Sequence, residues 1–341
     1  MAKPVSRRTA LAYLGATIAS LSLASACSTP SGAQPKPTAV TFPEKGRAIQ
    51  IIVPFTAGGA TDVATRLLAK ELEPILGTSI EVVNKPGAGA QVGLTEFTQA
   101  KPDGYTLGAA NLPGPITIAL NPDRKASFSR KDFKPIGIHV VDPGAIAVAA
   151  SSPYKSIADL VEAARAKPGQ VKAGTTGLMS DDHFAIIAVE KAANVEFAIV
   201  HFDGGSQREA ELLGGKIDAS FGNVGSFLPL VKSNQLRIIA IMDEQEAELA
   251  PGVPTLRSQG YDVIAASARG IFAPGQTPQP IVDILANAMK QVATKPDYQQ
   301  KLKDLGATPR YMDPQQVEAY WTDVETRIKP ILEQALAESK R

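Results

Sequence analysis

The chain reads as an α/β protein with parallel strands. Short β-rich runs alternate along it with amphipathic helical runs, and three of the strand-to-helix joints share one design of glycine and hydroxyl residues. Residues 49–53 read as a strand and 60–72 as a helix, with Val63, Ala64, Leu67 and Leu68 at helical spacing. Strand 80–83 leads through Pro86-Gly87-Ala88-Gly89 to a helix from about Val92, and 105–109 and 136–141 read as further strands. A second set opens with strand 145–150 and helix 156–166, for which Ser156 is the N-cap and Pro168-Gly169 the stop. Strand 171–173 precedes helix 181–193, with Phe184, Ile187 and Ala188 inward. Strand 197–202, helix 206–213 and strand 217–221 complete another βαβ unit, punctuated by Gly214-Gly215. Strand 236–241 follows, then a β-like run over 264–272, and the chain from Pro278 onward is mostly helical.

Ahead of this lies an export segment. Lys3, Arg7 and Arg8 precede a weakly apolar run over 11–26, the order of a secretory signal. Ser, Thr and Gly dilute that run, and it falls short of the ~20 apolar residues a membrane span needs. Three readings of its end stay open: a twin-arginine form around Arg7-Arg8 that lacks the usual Phe and Lys, an A-x-A cut at Ala24-Ser25-Ala26, and a lipobox ending at Cys27. Cys27 is the one cysteine of the chain. With no disulfide partner it suits lipidation, which makes the expected location the periplasm with a lipid anchor. Residues 28–46, rich in Pro, Ser, Gly and Lys, read as a tether. About 300 residues remain, enough for two cored domains.

Composition narrows the function. Thirty-five Lys and Arg stand against 34 Asp and Glu, with 6% aromatics, so nothing marks a nucleic-acid surface. Without a cysteine beyond Cys27 there are no structural disulfides and no thiolate metal site. No P-loop and no G-x-S-x-G elbow occur, and Gly87-Ala88-Gly89-Ala90-Gln91-Val92-Gly93 is one residue too long for a dinucleotide fingerprint. No metal or cofactor is expected.

The three joints are Phe55-Thr56-Ala57-Gly58-Gly59-Ala60-Thr61-Asp62, then Gly174 to His183, then His201-Phe202-Asp203-Gly204-Gly205-Ser206. Glycine lets a ligand approach the backbone, and the free N–H groups of a helix start suit a carboxylate or phosphate. Tight turns also use glycine for steric reasons alone. Asp181, Asp182 and His183 are consecutive, so a helix fans them apart, and Asp181 reads first as an acid complementing a helix N-terminus.

At these residues the chain resembles the exported solute-binding proteins of tripartite tricarboxylate transporters, the Bug family. The likeness runs from about Ile49 to the C-terminal helices. It rests on Pro54-Phe55 with Gly58-Gly59-Ala60-Thr61-Asp62, Asn84-Lys85-Pro86-Gly87-Ala88-Gly89, Pro102-Asp103-Gly104-Tyr105-Thr106-Leu107, Leu212-Leu213-Gly214-Gly215 with Asp218, and Ala273-Pro274-Gly275 with Thr277-Pro278. The resemblance implies a type II periplasmic-binding fold, two α/β lobes joined by crossing strands. Lobe one would be 47–141 with 264–341, and lobe two 142–263.

It also implies a small di- or tricarboxylate ligand, handed as a rule to a membrane permease by a monomeric receptor that makes and breaks no bond. Carried over, the ligand-gripping residues are Phe55, Thr56, Gly58, Gly59, Asp62, Thr175, Thr176 and His183. The forms around Asp182-His183, Asp203 and Arg269 look like a citrate-binding, tricarboxylate branch, which adds Asp182, Asp203 and Arg269 to the site. Added acids demand a cation, and Arg269 can fork onto a carboxylate. Its bland alternative is a hinge salt bridge to Asp203 or Asp182. Two rival functions remain: a periplasmic sensor for a signalling system, and a hydrolase using His183 with Asp182, which lacks a credible nucleophile.

Overall fold

The computed structural model describes residues 41–177, 180–202 and 204–338. The export segment with Cys27, residues 28–40 of the tether, and Asp203 lie outside the described residues. Within 41–46, expected as tether, the chain is already tied to the fold: Phe42 meets Tyr105 edge-on at 5.1 Å, and the Glu44 N–H donates to the Tyr105 hydroxyl at 2.6 Å.

In order, the elements are β1 Ile49–Val53, α1 Ala60–Leu76, β2 Ile80–Asn84, α2 Gln91–Thr98, β3 Thr106–Leu112, α3 Gly114–Leu120 and β4 Phe133–Ala149. Next come α4 Ile157–Ala166, β5 Lys172–Thr175, α5 Asp181–Ala193, β6 Ala198–His201, α6 Gly205–Leu213, β7 Ala219–Asn223, α7 Val224–Lys232 and β8 Leu236–Met242. The chain ends with β9 Ala266–Pro274, α8 Gln279–Ala293, α9 Pro296–Asp304, β10 Pro309–Met312 and α10 Pro314–Glu338.

The expected α/β alternation holds, and the strands form one curled sheet in two parts. In the first part β2, β1 and β3 are parallel, and β9 and β4 join antiparallel. In the second, β7, β5 and β6 are parallel, and β7 and β8 both pair with β4 antiparallel. β1 is buried on both faces, as a parallel strand between two neighbours must be. Helices α1 and α8 seal one face of the first part through Ala64, Leu68, Leu285 and Met289, while Phe97, Trp321 and Val324 fill the other. The second part is covered in the same way, by Leu160 and Ile186 on one side and by Leu212 and Phe227 on the other.

The main departure from the sequence reading is β4. Strands 136–141 and 145–150 are one strand of 17 residues, although Asp142-Pro143-Gly144 has the composition of a turn. Its first half pairs with β9 and its second with β7 and β8. Gly144 is needed there: its N–H bonds Ala265 O at 2.7 Å, and a Cβ would lie 2.8 Å from that oxygen. The irregularity that reads as a break is where two chain segments cross. Helices α3 and α7 were not legible as helices, one opening on Gly-Pro and the other carrying Pro229. α10 begins in the first part, but Leu332 and Ala335 pack on Phe184 and Ile187 of α5.

Candidate functional site

The loop between β1 and α1 is held by Asp62. Its carboxylate accepts the Gly58 N–H at 2.8 Å, Arg66 Nε at 3.1 Å and Asn84 Nδ2 at 2.8 Å, and Asn84 also donates to Phe55 O at 3.0 Å. Burial works to raise the Asp62 pKa, but Arg66, the Gly58 N–H and Asn84 outweigh it and hold the group below its usual range. Gly58 sits at φ +80°, where a side chain would be strained. Both oxygens of Asp62 are therefore occupied in shaping the loop. The α1 N–H groups beyond it have no carbonyl within the helix to bond.

The loop between β5 and α5 is built the same way around Asp182. Thr176 donates to it through Oγ1 at 2.8 Å and through its N–H at 3.3 Å, and Arg208 Nη1 closes on it at 2.6 Å. Ser180 caps α5, accepting the His183 N–H at 3.2 Å. Thr175 is wholly buried, and its hydroxyl accepts the Gly177 N–H at 2.9 Å and meets His201 Nδ1 at 3.2 Å. The ring of His183 lies edge-on to His201 at 4.8 Å, and burial with the second imidazole pushes its pKa down to about 4. His183 is neutral at pH 7.

Two hollows separate these loops. One, of about 430 Å³, is lined by Gly58 and Ala60, by Thr176, Asp181 and Asp182, and by Arg269. The other, of about 330 Å³, is lined by Phe55, Asn111, Arg124, Thr176 and Asp181. Both parts of the sheet contribute to each, and Thr176 and Asp181 belong to both. Of the expected site residues, Phe55, Gly58, Thr176, Asp182 and Arg269 face these hollows. Asp62, Thr175 and His183 are buried, and Thr56 is exposed.

Arg269 reaches Asp142 at 2.5 Å, a partner in the crossing strand β4, whereas Asp182 is not within ion-pair reach of it and Asp203 lies outside the described residues. Its Nε is buried with no hydrogen-bond partner among the described residues, so the side chain is not saturated by that contact. Asp182 takes Arg208 as its cation. Arg208 is among the most buried side chains of the protein, and its second nitrogen pairs with Glu209 at 2.7 Å. Burial raises both Asp181 and Asp182, with each acid's neighbour and Arg208 acting against one another on Asp182.

Residues 64–336 match the model of the Tripartite tricarboxylate transporter family receptor. The chain belongs to this family. Among solved structures the receptor is similar to a TctC solute-binding protein from Polaromonas without ligand (28% identity, TM-score 0.76, covering 86% of this chain and 100% of that one). It is likewise similar to Rpa4515 of R. palustris with adipate (25%, 0.74, 86% and 98%). A third likeness is to MatC (Rpa3494) from Rhodopseudomonas palustris with bound malate (25%, 0.71, 84% and 99%). The type II periplasmic-binding architecture follows, and members of the family are solute-binding receptors rather than enzymes.

Sequence reasoning missed three residues of the receptor's cleft. Arg208 had a signal, since it shares the inward face of α6 with Leu212 four residues on. Asp142 was hidden in an apparent turn. Arg124, in a short helical turn over 122–124, had no local signal at all. Among the described residues no group of three or more His, Asp or Glu could hold a metal, and no helix is long and apolar enough to cross a membrane.

Proposed function

We propose that the receptor captures a small di- or tricarboxylate between its two lobes outside the cytosol and delivers it to the membrane permease of a tripartite tricarboxylate transporter. The lobes are 47–141 with 264–341, and 142–263, and they turn about the crossing of β4 with the chain entering β9. The observation that carries this reading is the pair of hollows walled from both lobes by the β1–α1 and β5–α5 loops, each loop opening on a helix N-terminus. Thr56 and the first N–H groups of α1 supply donors on one wall and Arg269 supplies charge, while Gly58, Gly59 and Thr176, whose N–H groups are already bonded within the loops, shape the two walls. Asp62, Thr175, Asp182 and His183 set the loops in place.

Adipate and malate in two similar proteins support a carboxylate of this size. Membership of a family of solute-binding receptors supports binding without bond breaking, as does the geometry, with His183 neutral and buried and Asp182 engaged by Arg208. A thermal-shift screen of the mature protein against carboxylates tests the reading. A cognate ligand at a hundredfold excess over its Kd should add about 2.7 kcal/mol of stability. Stabilisation by none of a broad set of di- and tricarboxylates contradicts it, and steady release of product from a candidate ester would favour the hydrolase.

A further inference from the structure

We infer that Arg124 is the anion anchor of the cleft: it holds one carboxylate of an extended dicarboxylate in the hollow lined by Phe55 and Asn111, while the other carboxylate sits at the β1–α1 loop in the second hollow. This rests on reading the cleft as a carboxylate site.

The other arginines of the cleft already have acids. Arg269 is 2.5 Å from Asp142, and Arg208 is 2.6 Å from Asp182 and 2.7 Å from Glu209. Arg124 lines its hollow with no acidic group in ion-pair reach among the described residues. Its Nε donates to Gln91 Oε1 at 3.0 Å and its Nη2 to Ala88 O. Its Nη1 has no protein partner among them. Gln91 in turn donates to Arg124 O at 2.9 Å, so side chain and backbone are clamped together.

The loop that aims Ala88 O at the guanidinium is strained. Ala88, Gly89 and Ala90 are successive left-handed residues at φ +46°, +56° and +78°, and two of them carry a Cβ. A guanidinium fixed in this way, without a carboxylate, is preorganised for one that arrives with the ligand.

Asp181 decides the shape of that ligand. It lines both hollows, has no cation in ion-pair reach among the described residues, and is desolvated. A second acid group placed beside it would be repelled or would have to share a proton, whereas a methylene chain brings no like charge. The charged ends therefore lie apart, one in each hollow, which favours an extended dicarboxylate over a compact tricarboxylate.

The test is calorimetry on the mature protein with adipate and hexanoate, a matched pair differing in one carboxylate. Wild type should prefer adipate. Arg124→Ala should lose about 30-fold or more in adipate affinity and leave hexanoate within about threefold, so that the preference collapses. Arg124→Gln keeps a donor for Ala88 O, and with it the loop, and should behave as Arg124→Ala does. An adipate-to-hexanoate ratio equal to wild type in either folded variant overturns the inference while leaving the receptor reading intact. Binding of no carboxylate by wild type overturns both.

Discussion

Replacing Arg208 with methionine isolates the strongest electrostatic feature of the second lobe. Its side chain is 2% exposed and joins Asp182 at 2.6 Å and Glu209 at 2.7 Å, with the carbonyl of Phe221 as a further acceptor. Methionine fills much of the volume but leaves two carboxylates buried without a cation. Breaking such a pair costs about 3–5 kcal/mol. At about 2–4 °C per kcal/mol this is a drop in Tm of roughly 6–20 °C.

The loss should depend on pH. Burial and Asp181 already hold Asp182 above its unfolded value, and removing Arg208 raises it further. The folded state then keeps a proton that the unfolded state releases, so the penalty is absent below pH ~4, the unfolded value, and grows as pH rises toward 7 and beyond. Arg208→Met should regain stability on going from pH 7 to pH 5, and Arg208→Met with Asp182→Leu should cost less than Arg208→Met alone. Lys301→Met is the control, because its 2.6 Å pair with Glu71 is half-exposed and screened by solvent, so its loss should change stability far less. Urea melts at both pH values decide. A loss in Arg208→Met no larger than that of the control, with no pH dependence, would refute the argument.

Further outcomes follow from the same geometry. Asp62 is held below its unfolded pKa, so it contributes stability above that value which is lost as pH falls through the folded one. Asp62→Asn should remove that component of acid unfolding and weaken carboxylate binding by loosening Gly58, as acid melts and calorimetry would show. Because burial and His201 push the His183 pKa down to about 4, ligand affinity measured from pH 6 to 8 should carry no titration of this group, and His183→Gln should leave the profile unchanged. Gly93→Ala would set a Cβ 2.7 Å from Lys85 O and 2.9 Å from Pro54 Cα, prising α2 from the sheet. Denaturant melts should show a loss of about 1–3 kcal/mol. Cys27→Ser should move a lipid-anchored protein from the membrane to the soluble fraction, and wild-type protein found soluble and unlipidated by mass spectrometry would end that reading.

Much of the fold was legible because alternation of β-rich and helical runs reports burial directly, as in β1 and α1. The crossing strand was not, because Asp142-Pro143-Gly144 serves long-range needs: Asp142 meets Arg269 and the Thr308 N–H, and Gly144 meets Ala265. No local pattern reports a partner over a hundred residues away. The site shows the same split. The glycine and hydroxyl loops that bring Gly58 and Thr176 to a hollow were readable as loops, and the need for a cation was readable from the acids. Which arginine answers which acid was not, since Asp182 and Arg208 are 26 residues apart, on helices that cover opposite faces of the sheet. Gly93, part of an apparent dinucleotide motif, turns out to be a packing glycine between α2 and the Pro54 backbone.

The most direct measurement is a structure of the mature receptor with the carboxylate that stabilises it most. One carboxylate group is expected between the 55–60 loop and the wall formed by Thr176 and Asp182, with both lobes closed on the ligand. Density for the ligand against one lobe only, or outside the two hollows, would contradict capture between the lobes.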